Sequence, residues 1–137
     1  MPIIFVPSRQ EILICDFDLT GHVPPEIRKT RRVVVVSPRS QNHRHGRNYG
    51  RCIVVPFSQT EPPKLSPADV YFRPGSYESL DGETWCTCGI VMAVSHARLN
   101  RVSKGGKFLT EKVSDGDMAR IEAGLRSSLG MPRDADP

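Results

Sequence analysis

No stretch of this 137-residue chain approaches the ~20 consecutive apolar residues that a membrane span requires. Its apolar opening, Met1 to Val6, is far too short for the core of a secretory signal. These absences predict a cytoplasmic protein without a membrane partner, whose four cysteines, Cys15, Cys52, Cys86 and Cys88, stay reduced. Acid is missing from the middle of the chain: between Arg28 and Arg51 there are eight Lys or Arg and no Asp or Glu. Paired carboxylates, a Gly-rich phosphate loop and a His-Glu-x-x-His pair are also lacking, and Ser58 has no His or Asp at a triad spacing. Metalloprotease, P-loop and serine-hydrolase chemistry therefore have no support in the sequence. Cys86-x-Cys88 is too closely spaced for a Cys-x2–4-Cys zinc site. With all four cysteines in or beside apolar strands, they read as buried free thiols. No metal and no cofactor are expected.

What is present is positive charge in one place. Nineteen Lys and Arg against fifteen Asp and Glu give +4 overall, and acids gather toward the C-terminal quarter. Such asymmetry favours a face for a polyanion, most often nucleic acid, over uniform solubility. The length suits one domain over residues 1–132, with 133–137 as a flexible tail.

The chain is organised around Arg28 to Arg39, where cations run into Val33, Val34, Val35 and Val36 and Ser37-Pro38 ends the run. Four valines in a row read as a strand buried on both faces or bent inside a small barrel. Further strands are predicted at Glu11–Phe17, Arg51–Ser58, Val70–Arg73 and Thr84–Val94, the last broken near Gly89. A hairpin around Gly105-Gly106 joins Arg101–Ser103 to Lys107–Thr110. Residues Met1 to Arg9 read as an irregular leader, and Arg39 to Tyr49 as a mobile basic loop. The one clear helix runs from a Ser114 cap to Leu129, with Met118, Ile121, Leu125 and Leu129 as its apolar stripe and Gly130 as its stop. Roughly six short strands and a single helix predict a mainly β (α+β) fold, a small barrel closed by a C-terminal helix.

Arg31 at a strand mouth, His22 in a glycine-containing loop and Ser58 at a strand end form a set suited to metal-free RNA cleavage. A base takes the ribose 2′-OH proton, a cation stabilises the phosphorane and an acid protonates the leaving 5′ oxygen. Arginine keeps its charge and pairs with phosphate oxygens; histidine titrates near neutrality. On residues alone, Arg31 as a solvated strand-end charge and His22 as an ordinary loop histidine remain open.

Several stretches, in order, resemble the MazF/PemK family of toxin endoribonucleases. Glu11-Ile-Leu-Ile-Cys-Asp-Phe17 is similar to the family's Gly-Asp-Ile/Val-x-x-x-Asp-Phe/Leu, and Gly21-His22 to its loop Gly-His. Lys29-Thr30-Arg31, the valines and Ser37-Pro38 resemble Lys-x-Arg-Pro-Val-Val-Val-x-Ser-Pro. Ile53-Val-Val-Pro-Phe-Ser58 resembles Ile/Val-Val-Val-Pro-Ile/Leu-Thr/Ser, and Trp85–Cys88 with Val94-Ser95 and Arg98-Leu99 resembles Cys-Asp-Gln-x-Arg-Thr-Val-Ser-x-x-Arg-Leu. The resemblance spans about residues 10–130.

It implies an SH3-like β-barrel of the CcdB/MazF kind, a homodimer, cleavage of single-stranded RNA at short sequences, a cognate antitoxin, and operator DNA reached through the antitoxin complex. Arg31 falls on the family's catalytic arginine, Ser58 on its catalytic Thr/Ser, and His22 on the loop histidine some members use. Lys29, Arg32, Arg39, Arg44, Arg47 and Arg51 would meet phosphates. The sequence departs from the pattern at four places. Arg32 replaces the proline after the arginine, Gln10 replaces the opening glycine, and Gly89 and Met92 replace an acid and an arginine. Reduced activity, or a non-catalytic module that binds nucleic acid or inhibits gyrase in the CcdB manner, is the alternative these departures leave.

Overall fold

The computed structural model describes residues 2–17, 29–43 and 48–132. Eight strands are observed there, more than the six expected: β1 (Ile12–Asp16), β2 (Thr30–Val35), β3 (Arg51–Ser58), β4 (Asp69–Phe72), β5 (Thr84–Thr87), β6 (Met92–Ser95), β7 (Leu99–Lys104) and β8 (Lys107–Leu109). They form one antiparallel sheet in the order β4-β5-β3-β2-β1-β7-β8, with β6 also on β3. The expected Thr84–Val94 strand is split because Cys88–Ile90 coils into a 3-10 turn, so β5 and β6 pair with opposite halves of β3. Among the described residues the ladder does not close from β4 to β8; the barrel is an open, curled sheet.

The four valines explain why β2 is central. Val33 and Val35 enter one core with Leu13, Cys15, Val54 and Leu99, while Val34 and Val36 enter another with Ile12, Val55, Phe57 and Ile121. Alternation along the strand thus feeds two cores, one on each face. Full burial of one such side chain contributes about 1.5–3 kcal/mol. Ser37 and Asn42 stop the run. The Ser37 hydroxyl donates to Asn42 Oδ1 and accepts from the Ile53 amide, and Asn42 Nδ2 donates to the Pro7 carbonyl. With Asn42 fully buried and Arg39–Gln41 in a 3-10 turn, the first part of the expected mobile loop is built structure.

The leader is tied down as well. Ile3 is buried and its amide donates to the Leu99 carbonyl, and Arg9 pairs with Glu122 at 3.0 Å. The Gly105-Gly106 hairpin forms as predicted, with φ of 57° and 79°, the left-handed pair that a two-residue turn requires.

Helix α1 (Asp115–Leu129) is capped by Ser114, whose hydroxyl accepts from the Asp117 amide. It ends where Met131 and Gly130 amides donate to the Arg126 and Ser127 carbonyls, a Schellman turn. Met118 and Ile121 are buried as expected and Leu125 is partly buried, but Leu129 is exposed because the chain reverses directly after it. Gly124 takes the inner position instead: a Cβ there would lie 2.8 Å from Cys88 Sγ and 3.1 Å from Val70 Cγ2. No described helix is long and apolar enough to cross a membrane.

Candidate functional site

Strands β2 and β3 fix the site by register. Val33 lies opposite Pro56 and Val35 opposite Val54. Two residues further, the same register sets Arg31 opposite Ser58, and opposed residues share a face. Both line one cavity of about 270 Å³, walled by Pro56, Phe57, Pro63 and Ile90. Arg31 also lines a second cavity of about 250 Å³, with Lys29, Arg32, Gln59 and Asp81. It therefore stands between an apolar recess and a polar one.

Arg31 is half-buried, and its Nε is buried without a hydrogen-bond partner among the described residues. An unpaired buried donor costs about 1–3 kcal/mol, and catalytic roles are among the reasons such donors persist. Lys29, just before β2, sits at φ 128°, a conformation unusual for any residue but glycine. Ser58 Oγ is oriented by its own loop: it accepts from the Thr60 amide at 3.1 Å and donates to the Thr60 carbonyl at 3.3 Å. Such a turn fixes the hydroxyl at the end of β3.

Arg32 Nε is likewise buried without a partner among the described residues, but this side chain is engaged at its far end. Its Nη2 pairs with Asp81 Oδ2 at 3.1 Å, while Lys104 Nζ reaches Asp81 Oδ1 at 2.7 Å. Hydrogen bonding from Lys104 first, and then the Arg32 charge, hold the Asp81 carboxyl below its ordinary range against a desolvation that acts the other way.

The expected phosphate contacts divide between two ends of the sheet. Arg39 lies in the turn after β2, and Arg51 opens β3, about 23 Å from Ser58 along the strand. Arg51 lines a third cavity with His43 and Tyr49. His22, Arg44 and Arg47 lie outside the described residues. Gly89 and Met92 line neither cavity at Arg31, whereas Thr87 and Ile90 line the apolar one.

Sequence reasoning missed Thr60, Asp81 and Lys104 as neighbours of the arginines. Thr60 had a signal, the Ser-x-Thr turn; Asp81 and Lys104 had none, because they arrive from a loop and from β7. All four cysteines are buried free thiols, with burial pushing Cys15 and Cys52 up to about 12. Among the described residues, no three His, Cys, Asp or Glu side chains converge as a metal site.

Comparison with known proteins agrees with this architecture. A family model described as PemK-like, MazF-like toxin of type II toxin–antitoxin system matches residues 8–129. No curated protein sequence matches the chain significantly. Among solved structures, MazF of Deinococcus radiodurans superposes with a TM-score of 0.68 at 18% identity, covering 93% of this chain and 99% of that one. A mycobacterial endoribonuclease in complex with its cognate antitoxin gives 0.63 at 19% identity, with 93% and 98% covered. The Mycobacterium tuberculosis toxin MazF-mt6 gives 0.63 at 11% identity, with 90% and 99% covered. At these identities the structures speak for the fold, and the family match speaks for the lineage: this chain belongs to the PemK-like, MazF-like toxins of type II toxin–antitoxin systems.

Proposed function

We propose that this chain is a sequence-selective, metal-independent endoribonuclease that cuts single-stranded mRNA and is held in check by a cognate antitoxin. The reading rests on the cavity that Arg31 and Ser58 share. Arg31 supplies, from a fixed guanidinium, the positive charge that a metal would otherwise bring to the phosphorane. Ser58 Oγ positions a non-bridging phosphate oxygen. The ribose 2′ oxygen forms a bond to phosphorus as His22 takes its proton. The bond to the 5′ oxygen breaks and that oxygen is protonated by Arg31 or by water, leaving a 2′,3′-cyclic phosphate. The apolar recess beside Arg31 would take one unstacked base, which is how single-stranded RNA is read. Lys29 and Arg32 hold the adjoining backbone, while Arg39 and Arg51, at the opposite end of the sheet, and with them Arg44 and Arg47, would meet phosphates farther along the RNA.

The solved relatives support the partners. One is named as an endoribonuclease bound to its cognate antitoxin, and another as a MazE–MazF complex. For this chain an acidic antitoxin segment covering the basic cavity, a homodimeric toxin and operator contact through the toxin–antitoxin complex follow the same pattern. A second reading, a non-catalytic binding module, is favoured by one observation: the positions Gly89 and Met92 lack the family's acid and arginine.

Purified protein incubated with long single-stranded RNA in excess EDTA separates the two. Fragments ending in cyclic phosphate, abolished by Arg31→Ala with an unchanged circular dichroism spectrum, are the expected result. A variant that cuts at the wild-type rate would overturn the assignment of Arg31, and a gel shift without cutting would establish the module.

A further inference from the structure

Among the described charged residues lining the polar cavity, Lys29, Arg31 and Arg32 are cations and Asp81 is the single acid. Its carboxylate is shared: one oxygen takes Arg32 at 3.1 Å and the other takes Lys104 at 2.7 Å. A phosphodiester presents two non-bridging oxygens in a similar way, each able to accept from a separate cation. The arrangement is open to solvent, with the Asp81 side chain 47% and the Lys104 side chain 41% exposed. Exposed ion pairs hold weakly, so an incoming anion can replace this carboxylate at little cost. The backbone beneath is separately secured, because Gln59 Nε2 donates to the Asp81 carbonyl at 2.6 Å. The side chain can leave its cations while the turn stays in place.

We propose that Arg32 and Lys104 form a second phosphate subsite next to Arg31, and that Asp81 occupies it in the free protein as an internal stand-in for the RNA backbone. The inference rests on the RNA-cleaving reading and deepens it. Arg31 and Arg32 both line the polar cavity, so a strand whose scissile phosphate lies against Arg31 carries a neighbouring phosphate toward Arg32. Lys104 comes from β7 and reaches the same carboxylate, and its Nζ also donates to the Glu78 carbonyl at 2.9 Å, which holds it beside Arg32. Asp81 then acts as a filter. Backbone that is anchored at Arg31 displaces it, whereas weakly held anions do not. Its ion pairs persist through neutral pH because both cations favour the charged carboxylate.

The test is binding of the full chain to a 2′-O-methyl RNA strand, which cannot be cut, across a series of salt concentrations. Asp81→Asn keeps the shape and removes the competitor, and is expected to bind about fivefold to tenfold tighter than wild type. Adding Arg32→Ala or Lys104→Ala to that variant is expected to reverse the gain and flatten the salt slope by about 0.7 for each cation removed. Asp81→Glu is expected to bind like wild type. Asp81→Asn with an unchanged melting temperature and no gain in affinity would overturn the subsite, and so would double variants that retain the gain. Failure of wild type and Asp81→Asn alike to bind RNA at the lowest salt would instead remove the RNA reading beneath it.

Discussion

Alternation along β2 sends Arg31 toward Ser58 and Arg32 toward Asp81, although the two side chains are chemically the same. What distinguishes them is the strand face, and therefore the neighbours each one meets. Arg31 needs its planar fork as well as its charge if it stabilises a phosphorane. Arg31→Lys is accordingly expected to bind uncuttable RNA within a few-fold of wild type while its single-turnover cleavage rate falls by about 10²–10³. A lysine variant that cleaves normally would reduce the role to simple charge. The place of Arg31 at the start of β2 was legible in the sequence because a basic run meeting four valines marks a rigid strand mouth. The position of Ser58 at the end of β3 was legible because it closes a second apolar run. The Asp81 pairing was not, since it joins residues 49 apart through a loop with no pattern of its own. Gln10 shows the reverse case. It stands where the family has glycine, and its φ of 80° supplies the reason a glycine suits that position.

At the scale of elements, the Arg51–Ser58 strand was read to the residue, while the run from Thr84 to Val94 became two strands. The helix was also legible, because a serine cap, a 3.6-residue stripe and a terminal glycine are local signals. Its packing was not. In isolation a glycine inside a helix reads as a weakness, since alanine would be favoured by about 1 kcal/mol. Here Gly124 lets α1 approach β4 and the Cys88–Ile90 turn, at distances no Cβ would tolerate. Gly124→Ala sets these effects against each other, and the clash prevails because Cys88 and Val70 are both buried. Net destabilisation of about 1–3 kcal/mol is expected, seen as a melting temperature lower by several degrees. A rise in melting temperature would show that the helix can lift from the sheet without loss. The break near Gly89 was legible because a glycine interrupts an apolar run, but not the 3-10 turn there that sends β5 and β6 to opposite halves of β3.

Over the whole molecule, the sheet separates two cores, and Cys15 and Cys52 both lie in the one that Ile3 closes. Desolvation is the main reason their thiols are pushed from 9.0 to about 12, with Arg98 working against it at Cys15 and Glu11 adding to it at Cys52. A folded-state pKa above the unfolded one means that the folded protein keeps its protons while the unfolded chain gives them up. The contribution is therefore intact below about pH 9, is lost progressively above it, and is gone once pH passes the folded value near 12. Denaturant midpoints measured against pH are expected to be level with respect to these thiols up to about pH 9 and to fall beyond it, with a shallower fall in Cys15→Ala. A midpoint that stayed constant well above pH 9 would mean that water reaches these sulfurs in the native state. The same limb bears on function. With a histidine as general base, the cleavage rate of the proposed nuclease should rise toward neutral pH and then level off, so that unfolding of this core, rather than the chemistry at Arg31, sets its fall at high pH. Coincidence of that decline with the denaturant curve, and its displacement in Cys15→Ala, would tie the upper pH limit to the core on the face of the sheet that Arg31 shares.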